Sequence, residues 1–227
     1  MPAPNITNWI RIGLLALPIY GLLTFWGTLT HQPDPNADFE AYARYISTTY
    51  YLINHLVGSI GGTILAIFGA VALGLYLVGG RVERMARFAM VSSVAGSALI
   101  LTIFGMSTFA SPAIGHSYLA GQHQAVEINQ AILGTPLIVT ALLGGLLYTV
   151  GTILFGVAIW RSGTLPRWAG VLYVPTGFLI SVAGLMVGQA QTLGTVLLIA
   201  GSGWIAWRVL RRPSTRAVGV QAQPRVQ

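Results

Sequence analysis

The chain contains no cysteine and no lysine. The first absence excludes disulfides, thiolate metal ligation and thiol redox chemistry. The second leaves every basic side chain an arginine. Charge is scarce altogether, at 7% of residues against about 25% in soluble domains, and that deficit places most of the chain in a membrane. Net charge is +7, which matches the arginine bias of membrane-protein loops. No stretch is left over for a soluble nucleic-acid-binding domain, so no nucleic-acid partner is expected. Also missing are Gly-x-Ser-x-Gly, a phosphate-binding P-loop and Gly-x-Gly-x-x-Gly. No helix carries a charge at mid-bilayer depth, where ion-coupled transporters keep one. That argues against a proton relay and leaves room for a pocket for a lipid or another apolar ligand.

What is present is apolar sequence in long runs. From Leu56 to Gly80 there is no charged residue, and about 20 helical residues span a bilayer core of about 30 Å. Only helices and closed barrels satisfy their backbone in lipid. Six such segments are expected: residues 12–30, 50–80, 88–110, 136–160, 168–188 and 192–210. The first is read as an uncleaved helix kinked by Pro18, because it exceeds a signal-peptide core and lacks a cleavage site. The fold class is therefore all-α, a polytopic bundle of six transmembrane helices over residues 1–210. Residues 211–227, basic and without apolar periodicity, read as a disordered tail.

Arginine placement orients the bundle. Arg11, the Arg81/Arg84/Arg87 set, Arg161 with Arg167, and the set from Arg208 to Arg216 fall on one side of a six-helix reading. Only Arg44 falls on the other. Both termini are then cytoplasmic, in a multi-pass protein of the cell inner membrane. A 31–45 polar loop and a polar 111–135 segment would cap the outer face.

Gly58, Gly62, Ala66, Ala70 and Gly74 recur every four residues. Such a small-residue ridge lets helix backbones approach closely, so the second helix should pack centrally, with His55 looking into the bundle from the headgroup level. Tyr50 and Tyr51 would form an aromatic belt above it. A shift of 80 residues sets Arg81 on Arg161 and Arg87 on Arg167, with Phe88 on Trp168. That is the pattern of a parallel hairpin repeat, as found in some transporters. Apolar composition and topology also produce such matches.

The candidate site lies on the outer face: His55, His116, His123 and Glu127. His123 and Glu127 share a face if their segment is helical, and His116 lies seven residues earlier. Imidazole with carboxylate suits a divalent transition metal, and histidines at one depth suit haem. The same residues fit an amphipathic segment on the outer leaflet with its polar face wet, in which case no cofactor is bound.

The turn Gly156-Val-Ala-Ile-Trp-Arg-Ser-Gly-Thr-Leu-Pro-Arg-Trp-Ala-Gly-Val-Leu172 resembles a group of small polytopic bacterial inner-membrane proteins of unknown function. In those an Arg-Ser-Gly-x-Leu-Pro-Arg-Trp turn joins two late helices. The resemblance implies a bacterial inner membrane and carries no functional residue.

Three functions remain in view. The first is a non-enzymatic protein that binds an apolar ligand or pigment, or docks on other membrane subunits. The second is a metal- or haem-dependent enzyme using the outer histidines. The third is a small-solute transporter, which a polar cavity reaching the midplane would favour.

Overall fold

Lipid leaves the backbone few choices, and the computed structural model, which describes residues 8–30, 32–185 and 187–211, is helical nearly throughout, with no strand among the described residues. Five helices are long and apolar enough to cross a membrane: α1 (Asn8–Gly27), α3 (Thr49–Leu77), α4 (Glu83–Leu119), α6 (Thr135–Ser162) and α9 (Gly188–Leu210). The shorter helices are α2 (Phe39–Ile46), α5 (Ala125–Ile132), α7 (Arg167–Tyr173) and α8 (Thr176–Ser181). The basic tail expected beyond residue 211, and His31, lie outside the described residues.

Prolines explain where helices break. In α1 the regular pattern lapses at Leu14 and Leu15, one turn before Pro18, whose ring has no N–H for the Leu14 carbonyl and crowds it. The expected fifth helix, 168–188, is instead split. α7 ends at Tyr173, Pro175 withholds its N–H, and α8 follows at Thr176 before a short 3-10 turn, Ala183–Leu185. The broken segment still runs along its neighbours. A side-chain carbon added at Gly156 would meet the Gly170 carbonyl at 2.7 Å, one at Gly177 would reach Thr149 at 2.8 Å, and one at Gly145 would reach Ser181 at 3.4 Å. On its other side Gly201 faces Ala169 and Leu172, and Gly194 faces Leu179 and Ile180. α9 then starts at Gly188, so Gln189 to Gln191, which fall between the fifth and sixth expected segments, are its first turn.

The two segments expected to cap the outer face also differ from expectation. The 31–45 loop contains α2, started by Asp38, whose carboxylate accepts from the Ala41 N–H at 2.9 Å. The third helix does not stop at residue 110 but continues as α4 to Leu119, with Pro112 inside it. Its extension is covered by protein: Ser111, Ile114 and Gly115 are buried, and a side chain at Gly115 would strike the Ala43 carbonyl of α2 at 2.8 Å. Tyr51, expected in an interfacial belt, is 2% exposed and donates to the Ser107 carbonyl at 3.1 Å.

All five members of the α3 ridge are buried. Added carbons would meet the Tyr20 ring at 3.4 Å from Gly62 and Met90 at 2.7 Å from Gly74, so the ridge faces α1 along its upper part and α4 at its end. The tightest approach to α1 is at Gly69, outside the ridge, where Leu17 would lie at 2.5 Å. The core gathers at the arginine-bearing end of the helices: Leu14, Leu73, Ala86, Ala89, Phe155, Ile159, Ala169 and Ile205 are at most 1% exposed. Arg11 ties that end together by donating to the carbonyls of Val209 and Leu210 at 3.0 and 2.9 Å, two of the acceptors a helix C-terminus leaves without intrahelical partners.

Candidate functional site

The opposite half of the bundle is hollow. α3 begins with one ordinary turn and then loosens into π-helix from Asn54 to Gly61, a hydrogen-bonding pattern that is rare and concentrates at functional sites. Gly58 and Gly61 lie within this stretch. Here His55 is held firmly. Its Nδ1 lies 3.1 Å from the Tyr51 carbonyl, and its ring stacks on Tyr51 with centroids 3.9 Å apart. Asn54, 5% exposed, donates from Nδ2 to the Tyr50 hydroxyl at 3.3 Å.

His55, Ser59 and Thr63 form one wall of a cavity of about 770 Å³. The remaining walls come from the C-terminal half of α1, the middle of α4, α6 near Tyr148, and the junction of α8 with α9. At one end the lining residues Leu29, Gln32, Gly188 and Gln189 are exposed, so the cavity opens there. At the other end Tyr20, Thr63 and Tyr148 are buried. Tyr20 and Tyr148 stand next to each other there, with Thr24 beside Tyr20. Thr63, Ile100 and Tyr148 lie at or beside the midpoints of α3, α4 and α6, so the cavity runs from the helix ends to the middle of the bundle. Below the tyrosine pair, Phe155 meets Tyr173 edge to face at 6.4 Å and is fully buried. The volume falls within the range of small-molecule pockets, about 300–1,000 Å³. The wall mixes neutral polar groups with Leu23, Ile103, Phe104 and other apolar side chains.

The four expected site residues are not brought together. His55 lines the cavity. His116 is exposed near the end of α4, and His123 is exposed in the following turn with its ring against Tyr118 at 5.3 Å. Gly121, at φ +89°, turns the chain between them, a conformation glycine adopts at little cost. That turn breaks the seven-residue spacing that would have put His116 and His123 on one face. α5 begins only at Ala125, so His123 and exposed Glu127 do not share a helix. Among the described residues no three His, Asp or Glu side chains gather as a metal site, and no second histidine lines the cavity.

Thr24, Thr63 and Ser181 also line the cavity. Sequence reasoning passed over Tyr20 and Tyr148, which read as ordinary aromatic helix residues. Against known protein families, curated proteins and solved structures, the chain finds no match.

Proposed function

We propose that the chain is a six-crossing protein of a bacterial cytoplasmic membrane that binds a small amphipathic molecule in the cavity. The observation that carries this reading is the reach of the cavity, from exposed residues at one end to Tyr148 at the middle of α6. The broken segment serves as the fifth crossing. It accompanies α6 and α9 along its length, and 19 residues from 167 to 185 rise about 28 Å as helix, close to the thickness of the hydrocarbon core. With six crossings every arginine cluster falls on the cytoplasmic side, and the cavity opens away from it. The resemblance of the Arg161–Arg167 turn to bacterial inner-membrane proteins supports the same location.

A second reading, a carrier, is favoured by one feature. A site at mid-membrane, open to one side and closed beneath, is the shape of one half of an alternating-access cycle.

The absence of cysteine makes single-cysteine labelling clean. In right-side-out vesicles Ser59→Cys should react with a membrane-impermeant maleimide added outside, and Thr164→Cys should react only after the vesicles are opened. A folded Ser59→Cys protein silent from both sides, or labelled only from within, overturns the proposal.

A further inference from the structure

Given a binding cavity as proposed above, the chemistry of its wall sets what it accepts. Thr28 Oγ1 donates to the Phe25 carbonyl at 2.8 Å, Thr63 Oγ1 to the Ser59 carbonyl at 2.7 Å and Thr192 Oγ1 to the Gly188 carbonyl at 3.3 Å. A hydroxyl has a single proton and two lone pairs. Each of these three commits its proton to the backbone of its own segment and keeps acceptor capacity for the cavity it lines. His55 follows the same logic. A carbonyl only accepts, so the bond from Nδ1 to the Tyr51 carbonyl puts the ring proton on Nδ1. In the neutral imidazole Nε2 is then an acceptor. These four groups come from the end of α1, from α3 and from α9, and so are spread around the space rather than gathered at one spot. The amide donors of Gln32 and Gln189 stand at the mouth. No Asp, Glu, Lys or Arg is among the described lining residues, so an ion would shed water at membrane depth without a counter-charge, which is costly for either sign.

We infer that the cavity selects uncharged molecules that donate hydrogen bonds, such as phenols, alcohols or primary amides. Their apolar portion lies against Leu23, Ile103 and Phe104, which line the same space.

The test uses the full-length Ser59→Cys protein in lipid nanodiscs, with the rate of maleimide labelling as the readout. The probe is 4-hexylresorcinol, uncharged and carrying two phenolic donors. Its dimethyl ether lacks the donors, 4-hexylbenzoate carries a negative charge and 4-hexylbenzylammonium a positive one. At a saturating concentration hexylresorcinol should slow labelling roughly tenfold, as expected when occupied sites are protected, while the other three leave the rate within about twofold. Labelling at Gln130→Cys, an exposed position on α5, should be unaffected by all four. Thr192→Cys at the cavity wall takes the place of Ser59→Cys if the latter does not fold. Equal protection by the ether removes the donor requirement, and stronger protection by either ion removes charge exclusion. Protection by none of the four overturns the inference while the cavity stands. A cysteine that does not label without probe overturns the binding reading itself.

Discussion

The two halves of this bundle are made from the same long helices, yet one is sealed and the other hollow. At the arginine-bearing end, alanines at 86, 89, 158, 169 and 206 let backbones close up, and Phe155, Ile159 and Ile205 fill what remains with no exposure. At the other end α3 widens into π-helix, α1 ends at Gly27, and α8 stops at Ser181, several residues before α9 begins. The polar groups there are neutral and partly satisfied by their own helices. The difference teaches that one-sidedness can be built without a charged gate: close packing below and loosened helix ends above suffice.

That contrast is sharpest for one residue type placed in both halves. Phe155→Ala should destabilise the protein by about 3 kcal/mol or more, because a well-packed site cannot collapse around the void. Phe104→Ala, on the cavity wall, should cost less than about 1 kcal/mol, since its ring already borders empty space. Thermal unfolding in detergent measures both, and equal losses would erase the distinction between the halves.

A smaller difference is expected between two glycines on α3. Gly69→Ala, in the sealed half, forces Leu17 aside from 2.5 Å and should cost about 1–2 kcal/mol. Gly62→Ala, beside the cavity, meets Tyr20 at an ordinary 3.4 Å and should be close to neutral, whereas Gly62→Leu should push α3 off α1. Unfolding temperatures that fall equally for the two alanine variants would contradict the packing gradient.

The smallest effect belongs to the cap made by α2, which is packed although it borders the open end. Burial pushes the Tyr42 phenol up, a hydrogen bond with Ser111 pulling it partly back. The folded state thus favours the neutral phenol. The associated stability is present below the ordinary phenol range and is lost as pH rises through and above about 10. Unfolding temperatures measured from pH 8 to 11 should fall at the top of that range, and less so in Tyr42→Phe. An unchanged slope in the variant would show that α2 does not bury this group.

Much of the scaffold was legible. Small residues four apart at 58–74 announced a buried face, and all five are buried. Pro18 announced a break, and one occurs. Elsewhere apolarity misled, because it signals burial in lipid rather than burial in protein. Residues 111–119 carry Ser111, His116 and Ser117 and so read as lying outside the helix, yet α2 covers their inner face and α4 runs on. α2 was hidden behind Pro33 and Pro35, although Asp38 offered a cap. Pro175 was visible, but its consequence depends on neighbours. At the 80-residue offset it faces Ala95, and α4 continues unbroken there while 168–188 does not. The cavity was the least legible feature. A threonine that donates to its own helix looks the same in sequence whether it faces lipid, a neighbouring helix or a hollow. The four-residue spacing of His123 and Glu127 suggested a shared face that the late start of α5 prevents, and the turn at Gly121 breaks the spacing from His116.

The most direct test is a cysteine scan down α3, at Ser59, Thr63, Ala66 and Ala70, with an impermeant maleimide added from the side away from the arginine clusters. Reaction should be clear at 59, weak at 63 and absent at 66 and 70, where the helix enters the sealed half. Reaction continuing to residue 70, or none at residue 59 in a folded protein, would contradict a cavity that ends at the tyrosine pair.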